Sequence, residues 1–233
     1  MLTTTVRKFG YRLATIGQRR SLPKGYYSQF GQDRFVAEEL LPGLQGGTFV
    51  DIGANDGVTF SNTFHFEKEL GWRGVAFEPL PWAFEKLRLS RRCILVNGCV
   101  TDFDGETSFV ACEGPTEMLS GIASKFDPEH MARIDAEMAE FGGARREITV
   151  RCYRLDGVLK ANGISHVDYL SVDTEGGEFD ILRSIDFRAT PVSVITVENN
   201  TNTLNIRRLL EPAGFELVAV TGADEVYRHR DCR

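Results

Sequence analysis

Phe49-Val-Asp-Ile-Gly-Ala-Asn-Asp-Gly57 is the stretch on which the reading of this chain turns. An apolar strand runs into Asp-x-Gly-x-x-x-Gly, and helical sequence follows. That is the pattern of a cofactor loop at the carboxyl end of a parallel strand. A loop for a dinucleotide pyrophosphate uses the tighter Gly-x-Gly-x-x-Gly spacing and offers helix N-terminal amides to the anion. Here only Gly53 and Gly57 occur, and Asp51 and Asp56 repel phosphate. A cationic ligand matches better. S-adenosylmethionine carries a sulfonium and an ammonium beside one carboxylate small enough for backbone N–H groups to hold, so methyl transfer leads hydride transfer.

Working outward, Trp72-Arg-Gly-Val-Ala-Phe-Glu78-Pro79 reads as a second buried strand ending in an acid. Glu78 lies 21 residues beyond Gly57, close to the offset of about 20 at which an acid accepts hydrogen bonds from ribose hydroxyls in a βαβ site. The alternative is a pair of strand-end acids that cap helices. From residue 48 onward strands and helices alternate, which predicts an α/β fold with a mostly parallel sheet and helices on both faces. Strands are expected at residues 48–52, 75–77, 93–96, 149–153, 167–172 and 192–197. Helices are expected between them, and an antiparallel pair at 215–220 and 225–229 closes the sheet. Asp102-Phe-Asp-Gly105 supplies turn chemistry, so residues 107–111 are expected as a hairpin strand added to the sheet. Residues 113–147 interrupt the rhythm with a loop and an amphipathic helix ended by Gly142-Gly143, a candidate substrate cover. A helix packed on the sheet edge without such a role is the alternative.

The 233 residues, 42% of them hydrophobic, suffice for one domain with a substantial core. A net charge of −6 excludes a general nucleic-acid binder, which needs a basic face. Basic residues cluster before the first acid, Asp33, giving a basic arm over residues 1–26 ahead of a 27–233 domain. The arm lacks the apolar core of a signal peptide, and no stretch reaches the roughly 18 apolar residues of a membrane helix. A flexible or surface-packed arm is expected, with a transit peptide or weak contact to an anionic membrane surface as a lesser option. Five scattered cysteines without a C-x-x-C pair suit a reducing compartment, and cytoplasm is the default location.

Ligands of open α/β sheets bind beyond the carboxyl ends of the strands, and acids gather there: Asp51, Glu78, Asp173 and Glu198. The run Asp173-Thr-Glu-Gly-Gly-Glu178 is more acidic than helix capping requires. With Tyr27-Ser-Gln-Phe-Gly-Gln-Asp33, Phe49 to Gly57, Ser61-Asn62-Thr63, Phe77-Glu-Pro79, Asn97 to Asp102 and Asp168 to Glu178, the chain resembles the FkbM-type family of S-adenosylmethionine-dependent methyltransferases over about residues 27–200. The resemblance implies a Rossmann-like class I methyltransferase fold with an inserted hairpin and helix cover. It also implies O-methylation of a sugar, glycan or related small-molecule hydroxyl. It puts the methionine part of the cofactor against Asp51, Gly53, Ala54, Asn55 and Gly57, with Asp173 nearby. The ribose falls on Glu78 and Pro79, and the adenine near Cys99 and Val100. Ser61 and Asn62 join the same pocket, although helix capping suits Ser61 equally.

A hydroxyl acceptor needs a base coupled to attack. The candidates are Asp173, then Glu175 and Glu178, with His65 on the first helix within possible reach of the cleft. A divalent cation is a further option. Asp173, Glu198 and Asn199 resemble the Asp…Asp-Asn set of magnesium-dependent catechol-type O-methyltransferases, with Glu in place of the second Asp, and Mg²⁺ there would acidify the hydroxyl. Two other functions compete: a non-catalytic cofactor-binding partner in a glycan-assembly complex, and, less favoured, an NAD-dependent oxidoreductase.

Overall fold

The computed structural model describes residues 24–126, 128–200 and 203–232, together with the backbone of three short strand segments at Arg7–Lys8, Tyr11–Arg12 and Ala14–Thr15. The side chains of the expected basic arm up to residue 23, and Asp127 ahead of the amphipathic helix, lie outside the described residues.

A leading helix, α1 (Gln32–Phe35), widens into a π turn at Val36–Leu40. Strand β1 (Thr48–Ile52) and helix α2 (Phe64–Leu70) follow, then β2 (Arg73–Phe77), α3 (Pro81–Ser90) and β3 (Ile94–Val96). Gly71, at φ 66°, ends α2 in the left-handed conformation that glycine adopts without a Cβ penalty. Pro81 opens α3, where its missing N–H costs nothing. After an insertion the alternation resumes with α5 (Leu155–Ala161), β8 (Val167–Val172), α6 (Glu178–Ser184), β9 (Val192–Glu198) and α7 (Asn205–Leu210), and it closes with β10 (Phe215–Thr221) and β11 (Asp224–His229). The main sheet runs β10-β11-β9-β8-β1-β2-β3, with Ala14–Thr15 at its outer edge beside β10. β3, β2, β1, β8 and β9 are parallel neighbours, whereas β11 is antiparallel to both β9 and β10. This is the expected α/β, Rossmann-like architecture with an antiparallel closing pair. The strands at its centre, β1 and β8, are buried along almost their whole length, as both-face coverage demands. Val50, Val75, Leu170 and Ile195 form one core with α5 and α6, while Phe49, Phe66, Trp72 and Tyr169 form another on the opposite face.

One expectation about connectivity is corrected. The segment around residues 107–111 does not add a hairpin to the main sheet. It belongs to β5 (Gly105–Glu113), which joins β4 (Cys99–Thr101), β6 (Gly121–Ile122) and β7 (Ala144–Arg154) in a separate four-stranded sheet ordered β4-β7-β5-β6. β7 runs antiparallel to β5 over nine residue pairs and parallel to β4. β7 starts five residues earlier than the expected strand because its outer half meets β5 rather than the core, so its exposed charges conceal a paired strand. Between β5 and β7 lie a 3₁₀ turn at Gly114–Leu119 and the amphipathic helix α4 (Pro128–Phe141), as the residue pattern predicts. α4 buries Ile134 against Val110, Cys112 and Leu119. Among the described residues no helix is long and apolar enough to cross a membrane.

Candidate active site

The parallel strands deliver their carboxyl ends to one cleft of about 1460 Å³, open mouth included, lined by Asp51, Glu78, Asp173 and Glu198. It lies where the connections from β1 and β8 diverge, the place an α/β sheet leaves open for a ligand. The loop after β1 carries four left-handed residues, Gly53, Asn55, Gly57 and Phe60. Gly53, at φ 91°, passes so close to the end of β8 that an added Cβ would stand 1.8 Å from the Asp173 carbonyl oxygen. Asn55, at φ 47°, is one of the few side-chain types that tolerates this region. Any residue larger than glycine at 53 therefore drives the loops after β1 and β8 apart, and the intrusion is on Asp173 rather than on a ligand.

Glu78 binds two loops together. One oxygen accepts the Asn55 N–H and the other the Leu80 N–H, each at 2.8 Å. Its carboxylate keeps lone pairs for a ligand on the cleft side. Burial pushes its pKa up to about 7, against the two amides that favour the charged form. Pro79, Cys99, Val100, Ala54, Ser61 and Asn62 line the cleft as well. Asn62 donates to the Ser171 hydroxyl at 3.1 Å, while its own carbonyl oxygen Oδ1 is buried without a partner among the described residues. A buried amide oxygen left unpaired at a cleft is an acceptor awaiting a donor.

Beneath the loop lies a residue to which the sequence reading gave no role. Arg91 is wholly buried; its guanidinium meets Glu67 at 2.6 Å, the Thr63 hydroxyl at 2.9 Å, the Gly57 carbonyl at 3.2 Å and Asp51 at 3.5 Å. Asp51 also accepts the Thr63 hydroxyl at 2.5 Å. Burial raises the Asp51 pKa and Arg91 pulls it back. The guanidinium thus joins α2, α3 and the loop after β1. The signal was present only as Ser90-Arg91-Arg92 at a helix end, which reads as a solvated charge pair, and Arg92 is indeed exposed.

On the other side of the cleft the Asp173 carboxyl opens among acids. Although its side chain keeps an exposed edge, the protein crowded around it raises its pKa well above the usual carboxylate range, and Glu198, Asp224 and Glu178 add to the rise. The same combination of burial and neighbouring carboxylates pushes Glu175 and Glu198 up to about 8 each. Burial brings Asp224 to about 6, although Gln32 donates to it at 2.5 Å. Glu178 does something different from its neighbours. Its carboxylate accepts the Thr174 N–H at 2.9 Å, the Thr174 hydroxyl at 2.8 Å and the Gly176 N–H at 3.0 Å, so it holds the Asp173–Gly177 turn.

The mouth is built by two segments distant in sequence. Asp33 accepts the Tyr27 N–H, the Ser28 N–H and the Ser28 hydroxyl, which folds Tyr27 to Asp33 into a compact loop. That loop presents Gln29, Phe30 and Gln32 to the cleft, and Ser28 bridges to Phe60. Opposite, the insertion contributes Glu117, Met118, Ser120, Ile122 and Arg133. Glu117 fastens it to α3 and the loop after β1 by accepting Trp82 Nε1 at 2.7 Å, Lys86 Nζ at 3.2 Å and Asn55 Nδ2 at 3.4 Å. Arg133 meets Glu137 at 2.9 Å and Glu175 at 3.6 Å. Among the described residues it is the one cationic side chain lining the cleft.

Four expected site residues lie elsewhere. His65 faces the leading segment: it stacks on Tyr26 with ring centroids 4.4 Å apart, and Nδ1 is 2.7 Å from the Gly25 carbonyl, so it is not positioned as a base for the cleft. Gly57, at φ 81°, abuts Leu87, Ser90 and Arg91, where a Cβ would have no room; it fits the loop onto α3 and does not line the cleft. Glu178 is committed to its turn as described. Asn199 is buried and turned back on its own loop, donating to the Thr203 carbonyl and accepting the Thr203 N–H. The Asp173, Glu198 and Asn199 set is therefore not assembled. Among the described residues no group of three or more His, Cys, Asp or Glu is arranged to hold a metal ion, so the divalent-cation expectation finds no support.

A family profile described as "Methyltransferase FkbM domain" matches residues 51–217. Among solved structures, a methyltransferase FkbM from Methylobacillus flagellatus KT is similar over 85% of this chain, with a TM-score of 0.50 and 10% identity. The chain spans about half the length of that protein, 48%. A TehB-like SAM-dependent methyltransferase from Corynebacterium glutamicum ATCC 13032 Kitasato is more distant, with a TM-score of 0.41 and 12% identity over 87% of this chain and 89% of its own. No curated protein sequence matches.

Proposed function

Because this chain belongs to the FkbM methyltransferase-domain family, we propose that it transfers a methyl group from S-adenosylmethionine to a hydroxyl of a sugar, glycan or related small molecule. The observation that carries this reading is the charge of the cleft. Asp51, Glu78, Asp173, Glu175, Glu198 and Asp224 all line it, and among the described residues only Arg133 opposes them. A pyrophosphate would meet repulsion there, whereas a sulfonium with an ammonium is drawn in.

The residues present fit that cofactor. The unpaired Oδ1 of Asn62 is an acceptor for an ammonium or hydroxyl, Glu78 retains lone pairs for ribose hydroxyls, and Cys99 and Val100 offer an apolar wall to the adenine. When bound, S-adenosylmethionine supplies an electrophilic methyl group. The protein aligns the acceptor oxygen with it and removes the hydroxyl proton. Asp173 is the base: it lines the cleft, and its crowded carboxyl is held more basic than an ordinary carboxylate. Glu175 and Glu198 tune it, and Glu178 fixes the turn that carries it. The 27–233 span acts as one methyltransferase domain, with residues 113–147 as its substrate cover. The assay is transfer of a labelled methyl group to a panel of sugars and glycolipids.

Two results are expected from this arrangement. Glu78→Gln places an amide N–H₂ against the Asn55 or Leu80 N–H, so calorimetry should show S-adenosylhomocysteine binding weakened by about 1.5–3 kcal/mol, with circular dichroism unchanged. Unaltered affinity removes Glu78 from the ribose role. Second, carboxyls whose pKa is higher folded than unfolded contribute stability that is complete below the unfolded value and is lost as pH rises through the folded one. For Glu175 and Glu198 that window runs from 4.5 to about 8. The melting temperature of the ligand-free protein should therefore fall across it, and Glu198→Gln should flatten the fall. A flat or rising profile in the parent protein contradicts the acidic cluster.

A further inference from the structure

Phe60 is large, apolar and 47% exposed, and it lines the cleft. Its φ of 57° is a backbone conformation that a bulky side chain rarely adopts. The bridge from Ser28, itself held by Asp33, fixes it there. Phe30 and Met118, the latter 42% exposed, line the same mouth. Core packing does not account for apolar side chains held in water at a cleft whose floor is formed by Asp173, Glu198 and Asp224. The cleft has an apolar rim over a floor of hydrogen-bond acceptors. An aromatic ring at such a rim covers the C–H face of a ring-shaped ligand, and carboxylates below take its hydroxyl donors.

Resting on the methyltransferase reading above, we propose that Phe60, flanked by Phe30 and Met118, is the stacking platform of the acceptor subsite, and that this subsite selects an uncharged, polyhydroxylated ring and rejects anionic acceptors. The rejection follows from charge. Arg133 is the one cation near among the described residues, and it is already committed to Glu137 and Glu175, so once the pH exceeds about 8 and the acids beside it ionise, carboxylates face any carboxylate or phosphate on the acceptor. The cofactor and acceptor halves of the cleft are distinct. The first lies at the ends of β1 and β2 and along β4. The second lies between the loop from Tyr27 to Asp33, Phe60, Met118 of the insertion, and the ends of β8 and β9.

The test is a binding panel on the full chain, with and without S-adenosylhomocysteine. Methyl hexopyranosides, the matching uronates and the matching 6-phosphates are titrated by calorimetry and by saturation-transfer NMR. At pH 8.5, where Glu175 and Glu198 are ionised, neutral glycosides should bind saturably, and the uronates and phosphates at least about tenfold more weakly. Phe60→Ala should weaken the neutral glycosides about tenfold, and Phe60→Tyr should restore them. S-adenosylhomocysteine affinity should be equal in the parent and both variants, which also reports that they are folded. Anions binding as well as neutral rings, neutral rings binding equally to Phe60→Ala, or no glycoside binding at all would each overturn the proposal. Glycoside binding without S-adenosylhomocysteine binding would overturn the cofactor reading and leave the subsite standing.

Discussion

Replacing Arg91 by methionine is expected to lower the unfolding free energy by about 3–5 kcal/mol, the range for removing one partner of a buried ion pair. The side chain is of similar length and apolar, so lost volume is not the cause. Its absence leaves Asp51 and Glu67 as neighbouring carboxylates without their cation, and it leaves the Gly57 carbonyl and the Thr63 hydroxyl without a donor. Urea denaturation at pH 7 measures the loss, and lowering the pH should recover part of it as the stranded carboxylates take up protons. Arg91→Lys should also destabilise, because an ammonium has three donors in a compact head and cannot span Glu67, Thr63, Gly57 and Asp51 together. A change below about 1 kcal/mol in Arg91→Met would mean that the network adds nothing to the fold.

Asp173→Asn is expected to reduce methyl-transfer turnover by about 10²–10⁴-fold, the contribution of a positioned general base, while S-adenosylhomocysteine affinity stays within a few fold. The same substitution removes one member of a crowd of like charges. It should therefore raise the melting temperature above pH 8, where the parent holds Asp173, Glu175 and Glu198 in mutual repulsion. A group with only a structural role would lose stability, and a base in this setting should gain it. Single-turnover kinetics with labelled cofactor, beside a thermal scan at pH 8.5, give both readouts. Full activity in Asp173→Asn moves the base elsewhere.

The parts of this molecule legible in its sequence are those governed by local periodicity and strand-end chemistry. Residues 48–52 and 167–172 form their expected strands because apolar runs bounded by Gly and acids admit few other structures. Asp51, Glu78, Asp173 and Glu198 meet in one cleft because parallel strands carry all their carboxyl ends to one edge. What escaped was set by tertiary partners. His65 sits on the expected helix, but its orientation depends on Tyr26 and Gly25, 39 and 40 residues earlier. Asn199 follows the expected strand, yet its amide is claimed by Thr203, four residues on. Gly57 resembles a ligand-facing glycine until α3 is seen to occupy the space its Cβ would need. The second sheet escaped for a similar reason. β7 pairs outward with β5, so its polar residues lack the alternation that marks a half-buried strand.

The ladder between β5 and β7 also bears on how such a chain can change over evolutionary time. Glu113 and Ala144 face one another as its terminal pair, so residues 114–143 hang from two ends already held at hydrogen-bonding distance. The entropy of closing that excursion rises only with the logarithm of its length, about 0.6 kcal/mol per doubling. Changes of length between those anchors therefore leave the β5–β7 ladder and the main sheet in place, provided that β6, Leu119 and Ile134 keep their packing on β5 and Glu117 its bonds to Trp82 and Asn55, while Met118 and Arg133 at the mouth can be replaced. If residues 113–147 cover the acceptor as proposed, variation at Met118 and Arg133 within this excursion is the least disruptive route to a changed acceptor.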